Sequence, residues 1–500
     1  MKISKYIAAS LVCIMTLTSC GDSFMDVEYT NRLDQEAAGE AAAKNPSVFL
    51  NGMWSWMVAY QSSHDDFGYM SVMHSTDMMS EDIAMAAFSW FGYDYDFDNR
   101  MYNYRRTKAN WATYYTMISK ANEIISLYPE ATTNDVKALL GQALAIRGLS
   151  YYYLIQLYQF PTAADGSVDR SKPGVPLMLT EADGLSTDEI EALKGRNTVG
   201  DIFDQMDKDL NLAAKLLEEA EYKRANKNYI DASVAYGILA RYNLLANKWQ
   251  EAANAANKAH NGYKINSAYW LDQISKNEGF TSVDDPEWMW GFNHDTETQT
   301  TYASFFSQIS SIAPGYCGIG YNQNLIDARL YSKIPQDDVR KAQFNGPEGN
   351  PNGPTSAAKA PYAPLKFGHI SDWSEDYMYM RAPEMILIEA EAYVRMGKGD
   401  VAAKVLSELM DDRCPSWSSL HATVDLDEVL LQRRIELWGE GFAYFDLKRN
   451  NLGIDRAYDG SNHLAGYLHQ IPARDKRWVY QIPTAELQEN THISESEQND

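Results

Sequence analysis

Apolar and small residues recur at three- and four-residue spacing along much of the chain, the pattern of helices with one buried face. Over 135–160 the face is Leu139, Ala143, Ile146, Ser150, Tyr153 and Leu157. Asp135 is the expected cap, and Pro161 stops the helix because it cannot continue one. Thr198 is a good N-cap for a second helix that buries Val199, Ile202, Met206, Leu210, Ala213 and Leu217. A third starts at Asp231, breaks at Asn247 and Lys248, and resumes over 249–259, where alanines allow close approach of a neighbour. The same plan returns at 384–396, where Gly397, Lys398 and Gly399 form a turn and Asp400 caps 401–410. Asp425 and Glu428 form a variant of the capping box and open a helix that runs through Trp438.

Helical hairpins of this size, recurring irregularly, suggest tetratricopeptide-type repeats, which stack into a stable frame and often present a surface to a protein partner. Between 270 and 380 the helical period fails. Pro347, Pro351, Pro354, Pro361 and Pro364 mark an extended loop, and 285–292 reads as a short buried strand with Trp288 and Trp290 facing the core. Irregular segments inserted into a rigid frame are where a ligand site belongs.

The N-terminus sets the compartment. Lys2 and Lys5 precede an apolar run from Ile7 to Leu17, and Leu17-Thr18-Ser19-Cys20 follows. The run is too short to span a membrane and has the form of a secretory signal. Leu-Thr-Ser-Cys resembles the bacterial lipobox, in which cleavage exposes Cys20 and its sulfur carries diacylglycerol. The expected organisation is a signal peptide over 1–19, a lipid-anchored polar tether over 20–45 and a helical part over 46–270 with an aromatic loop at 75–104. An irregular insert over 271–380 and a second helical part with its tail over 381–500 complete it.

Composition narrows the ligand. The 500 residues carry a net charge of −24, which disfavours nucleic acid and suits a neutral ligand. Of four cysteines, Cys317 and Cys414 remain after processing, and unpaired burial is expected for both. The sequence has no Gly-x-Ser-x-Gly, no His-Glu-x-x-His and no phosphate-binding glycine loop, so no catalytic residue or cofactor is assigned. No local pattern marks a glycosidase carboxylate pair among the many acids. Asp94, Asp96 and Asp98 invite calcium, but Asn99 and Arg105 stand where an EF-hand requires glycine and glutamate. The nine histidines show no zinc spacing, so no metal is expected.

Six segments resemble the SusD/RagB family of outer-membrane nutrient-binding lipoproteins, in the family's order and over essentially the whole chain. They are the lipobox; Ala145-Ile-Arg147-Gly-Leu-Ser-Tyr151; Asp285-Pro-Glu287-Trp-Met-Trp290; Arg381-Ala-Pro-Glu384 continuing through Glu389 and Glu391; Arg433-Arg434-Ile-Glu436-Leu-Trp-Gly-Glu440 continuing through Asp446 and Arg449; and the closing Tyr480-Gln-Ile-Pro483. The resemblance implies a mainly helical fold of about four tetratricopeptide-like units with an irregular ligand region. It also implies a glycan ligand and a TonB-dependent, SusC-like transporter that the lipoprotein covers. The shared charged residues Arg147, Arg381, Glu384, Glu391, Arg433, Arg434, Glu436, Glu440, Asp446 and Arg449 read as buried pairs that fix helix register rather than as ligand contacts.

A pyranose offers apolar CH faces and a rim of hydroxyls, so it takes an aromatic ring beneath and Asp, Asn, Gln or Arg around it. Residues 88–104 hold eight aromatics, with Tyr93, Tyr95 and Phe97 alternating with Asp94, Asp96 and Asp98. Read as extended chain, they give an aromatic face and an acidic face. Trp90 is the first choice of platform, with Phe91, Tyr93, Asp94 and Asp77 of the polar stretch 75–82 beside it. Tyr302 and Tyr316 are the candidates in a second cluster. A helical-repeat lipoprotein that binds peptide or protein fits the same scaffold, and exposure of Trp90, Tyr93 and Tyr302 discriminates between the two.

Overall fold

A computed structural model describes residues 47–295, 297–298 and 301–500. The signal peptide, Cys20 and the tether lie outside the described residues. The long helices are α1 (Ser47–Val58), α2 (Tyr69–Met78), α3 (Arg105–Leu127), α4 (Asn134–Tyr158), α5 (Val199–Glu219), α6 (Ala232–Leu245) and α7 (Trp249–His260). After the irregular insert come α8 (Ala382–Arg395), α9 (Gly399–Arg413), α10 (Leu426–Glu436) and α11 (Ala443–Arg449). Short strands β1 (Ile83–Met85), β2 (Trp288–Phe292), β3 (Asn324–Ile326) and β4 (Tyr377–Arg381) form two antiparallel pairs, β1 with β3 and β2 with β4.

From α3 to α9 each helix packs on its neighbour in sequence, and α10 packs on α8. This is a tetratricopeptide-like stack. Close approach has visible causes. A Cβ on Gly148 of α4 would sit 2.5 Å from Leu210 of α5, and one on Gly141 would sit 2.7 Å from Leu217. Ala252, Ala253, Ala255, Ala256 and Ala259 form the buried side of α7, which lies between α6 and α8. Thr198 closes a capping box with Asp201, as its sequence signal requires. Asp425 accepts from the Glu428 N–H, but the Glu428 carboxylate accepts from the Trp417 indole and Gln432 instead of reaching back to Asp425, so only half of that box forms. Trp288 and Trp290 are fully buried in β2, which the insert pairs with β4 just before α8.

Several boundaries differ from expectation. Thr133 rather than Asp135 caps α4, accepting from the Val136 N–H. Lys398 precedes α9, and Asp400 lies in its first turn, where a carboxylate still complements the helix dipole. The helix from Asp425 ends at Glu436, short of Trp438, as the chain turns through Gly439 and Gly441 with φ of 77° and 92°. Only the second half of the polar stretch 75–82 is a loop: Ser75, Thr76, Asp77 and Met78 belong to α2, all ten residues of which are buried, and the chain turns through 79–82. A helix buried all round shows no alternation of faces, so periodicity could not reveal it. The alternation over 93–98 does not form an extended strand either. Gly92–Tyr95 is a helical turn, Phe97 is left-handed at φ 64°, and Asp98–Arg100 is a 3-10 turn.

The motif charges are paired in the interior. Arg147 of α4 grips Asp209 of α5 through two bonds of 2.8 and 2.7 Å, and also Asp183 and Asn122. Arg241 of α6 binds Glu384 of α8 in the same two-pronged way. Arg449 pairs with Glu391 and Asp446, Arg433 with Asp446, and Arg434 with Glu81 and Asp82. At the centre, Glu436 receives Arg381 at 3.0 Å and Arg413 at 3.0 Å, with Arg340 at 3.5 Å. Glu287 binds the same Arg381 and Arg413, while Glu440 binds Arg381 and Lys366 at 2.6 Å each. Glu287, Arg340 and Lys366 come from the insert, so the network fastens it to the scaffold. Cys317 and Cys414 are buried and free.

Burial pushes the Glu436 carboxyl up, but Arg413, Arg381 and Arg340 together hold it well below the usual carboxylate range. Its contribution to stability is therefore full above the ordinary value of 4.5 and is lost as pH falls from there toward the folded value. Glu436→Gln is expected to cost about 3–5 kcal/mol at pH 7, because it leaves buried guanidinium groups short of a partner. Urea titrations at pH 7 and pH 4 check both statements. The wild-type midpoint falls more between the two pH values than that of the variant.

Candidate functional site

The structure gathers Trp90, Tyr302 and Tyr316 from distant parts of the chain into one ring cluster. His64 is at its centre: its ring lies 5.2 Å from Trp90 at 32° and 5.7 Å from Tyr316, whose hydroxyl bonds His64 Nδ1. Tyr316 is 5.9 Å from Tyr302 and 5.6 Å from Tyr321, Tyr302 is 6.1 Å from Trp373, and Tyr60 is 6.3 Å from His64. Tyr302, Tyr60 and Tyr321 are each more than half exposed, while Trp90, His64 and Tyr316 are half-buried beneath. Beside the rings a cavity of about 640 Å³ is lined by Ser55, Val58, Ala59, Tyr60, His64, Thr298, Thr301, Tyr302 and Ala303.

Several of the rings are held from behind. Gln308 donates to the His64 carbonyl at 2.9 Å. Ser304 caps the short helix Phe305–Ile309, and the Ser307 hydroxyl in that helix accepts from the Tyr316 N–H at 3.1 Å. The loop before Tyr302 is shaped by Asp295, whose carboxylate accepts the Glu297 and Thr298 N–H groups. Asp376 next to β4 accepts from His294 N and Asn293 Nδ2 and fixes the loop's start. Flat rings on a rigid frame, with hydroxyls and an imidazole between them, offer both a stacking surface and hydrogen-bond partners to a polyhydroxylated ring.

Other candidates are placed elsewhere. Phe91 is fully buried against Phe67 and His74. Asp94 is buried 3.4 Å from the Arg106 guanidinium, and burial pushes its carboxyl up to about 6. Asp77 is buried and accepts the backbone N–H groups of Gly441 and Ala443, at 2.7 and 3.2 Å, at the start of α11. Burial outweighs those two bonds and raises its carboxyl to about 8. These three are packing and capping groups, out of reach of a ligand at the surface. Tyr93 is 48% exposed but faces Phe88 and Tyr104 instead of the Trp90 cluster. His64, Tyr60, Tyr321 and Trp373 were not anticipated: no local pattern sets them apart from neighbouring aromatics that fill the core, such as Trp54 and Tyr377, and only the fold brings them together. Among the described residues, no group of His, Cys, Asp and Glu is arranged to hold a metal ion.

A helical-repeat scaffold carrying a surface cluster of aromatic rings has the character of a carbohydrate-binding protein. Residues 24–244 match the family described as "Starch-binding associating with outer membrane", and residues 366–500 match the SusD family. A SusD-like protein of Formosa agariphila is 24% identical over 398 residues, covering 69% of this chain and 72% of its own. The crystal structure of a SusD-like carbohydrate binding protein from Bacteroides vulgatus superposes with a TM-score of 0.74 at 23% identity, covering 92% of this chain and 98% of its own. A laminarin binding SusD-like protein does so with a TM-score of 0.60 at 17% identity, covering 91% and 98%. The chain belongs to the SusD family.

The placement of Asp77 is checked by substitution. Asp77→Ala is expected to lower stability by about 1–2 kcal/mol, since two helix-start N–H groups lose their acceptor. Asp77→Asn keeps one acceptor oxygen and costs less. Denaturant midpoints of the two variants provide the comparison, and glycan affinity stays at the wild-type value in both.

Proposed function

We propose that this protein captures an oligosaccharide or polysaccharide at the cell surface and hands it to a TonB-dependent outer-membrane transporter, while a lipid on Cys20 anchors it to the outer membrane. The observation that carries the reading is the joined cluster of Trp90, His64, Tyr302, Tyr316 and Trp373, three of whose rings the sequence marks as sugar platforms. Family membership and the laminarin binding neighbour support the glycan class. The net charge of −24 favours an uncharged glycan over a polyanionic one. Among the described residues no helix is long and apolar enough to cross a membrane, which fits attachment through the N-terminal lipid.

The mechanism is capture without bond making. Rings hold the sugar faces, hydroxyls and the His64 imidazole meet the rim, and the transporter receives the ligand when the lipoprotein opens above its mouth. Loose binding serves this purpose, because a very slow off-rate would block delivery.

Calorimetry of residues 21–500 against soluble polysaccharides and peptides tests the reading. Heat with at least one glycan is expected, weakened at least tenfold by Trp90→Ala and clearly weakened by Tyr302→Ala, whose exposed side chain bears little on folding. Heat with peptides and none with glycans would instead establish a peptide-binding protein on the same scaffold.

A further inference from the structure

We propose that a second sugar platform, formed by Phe88, Tyr93, Tyr104 and Tyr467, lies on the other side of Ser89 from the first and takes a further neutral pyranose of the same glycan chain. The proposal rests on the glycan reading of the Trp90 cluster. Phe88 and Tyr467 stack at 5.0 Å and 27°, Tyr93 meets Phe88 edge-on at 5.2 Å, and Tyr104 lies 6.5 Å from Tyr93. Tyr93 and Tyr104 are 48% and 36% exposed, as are the adjacent Tyr102 and Leu468 at 44% and 42%. Partly exposed rings in mutual contact, on a strongly acidic chain, offer a sugar a stacking surface.

The platform is built rather than loose. Gly92 lies so close beneath the Phe88 ring that a Cβ there would come within 2.7 Å of it. Tyr467 rests 6.4 Å from buried Tyr95, whose ring the Arg456 guanidinium covers at 3.8 Å. Arg456 in turn is fixed by the carbonyls of Met78, Ser80 and Tyr95. Rings immobilised before binding lose little entropy when a sugar stacks on them.

Two observations select the occupant. Phe88 and Trp90 are two residues apart, a separation of at most about 7 Å along the backbone. One segment thus contributes a ring to each cluster, Phe88 to one and Trp90 to the other. Asp96, bonded to His469 at 2.7 Å, and exposed Asp98 lie in the same segment. The nearby cation Arg105 is already paired with Asp65 and Asp66. Hydroxyl-rich neutral units suit that rim, and carboxylated or sulfated ones do not.

Affinity electrophoresis of residues 21–500 through gels containing soluble starch, laminarin, xylan, galactomannan or alginate tests the proposal. Wild type is compared with Tyr93→Ala/Tyr104→Ala and with Trp90→Ala. On the neutral gel that retards wild type, the double variant is expected to bind on the order of 3- to 10-fold more weakly. It is also expected to keep wild-type affinity for a trisaccharide of that glycan and wild-type thermal melting, since both side chains are exposed. Wild-type retardation of the double variant on a gel that releases Trp90→Ala would overturn the second platform and leave the first standing. Stronger retardation on alginate than on any neutral gel would overturn the neutral class. Free migration of wild type in every gel would sink both platforms together.

Discussion

The structure depends on a buried cluster of charge around Glu436. Four carboxylates (Glu287, Asp338, Glu436 and Glu440) meet four cations (Arg340, Lys366, Arg381 and Arg413), all inaccessible to solvent or nearly so. Such a network adds little net stability over a hydrophobic core of equal volume, because desolvation consumes most of the Coulombic gain. Its constraint is geometric. Removing any member strands a charge in the interior, so only one arrangement of the contributing segments satisfies all eight groups. Those segments are the residue before β2, the 3-10 turn at 338–340, the loop at 366, the end of β4, the helices α9 and α10, and the turn that follows α10. The irregular insert therefore has one seat on the helical stack.

The N-terminal loops are seated by the same logic. Arg434 binds Asp82 at 2.5 Å, the Trp438 indole N–H donates to the Asp82 carbonyl at 2.8 Å, and Arg456 gathers the carbonyls of Met78, Ser80 and Tyr95. Residues 78–95 are thus fixed by the C-terminal part of the chain. Trp90 projects from this fixed segment to meet His64, and Tyr316 and Tyr302 reach the same place from an insert locked through Glu287 and Lys366. Ring positions that depend on sequence-distant charges are the physical meaning of a rigid platform.

Much of the frame was legible because it obeys local rules. Thr198, Asp231 and Asp425 cap helices where a side-chain oxygen precedes an apolar period, and the motif arginines and glutamates turned out to be paired, as charges buried beside apolar faces must be. What was missed follows from the limits of periodicity. α2 is buried on every side and has no polar face to betray it, and α3 begins after Tyr104, which offers no capping side chain. The alternation of Tyr93, Tyr95 and Phe97 with aspartates imitates a strand, yet Gly92 and the left-handed Phe97 wind the same residues into turns. Of the seven ligand candidates, Trp90, Tyr302 and Tyr316 converge, whereas Phe91, Asp94 and Asp77 are spent on the interior. Aromatic density in a sequence marks a region, and it does not separate rings that face water from rings that fill a core.

In the proposed function, the ring cluster also explains why a protein so rich in buried charge needs no charged group among the rings that would stack on a sugar. A neutral sugar brings no charge to be compensated, so affinity must come from stacking area and a few hydrogen bonds, each worth about 1 kcal/mol. Contacts of that size produce specificity only when several rings are held at fixed spacing, since a floppy side chain returns its gain as lost entropy. On the proposed reading, the buried charge supplies at a distance what the site itself cannot: it fixes Trp90 against Tyr316 and His64, while the groups that would meet the sugar remain weak enough to let go. In the proposed function, strength in the frame and weakness at the surface are one design, for a carrier that holds its cargo only until the transporter takes it.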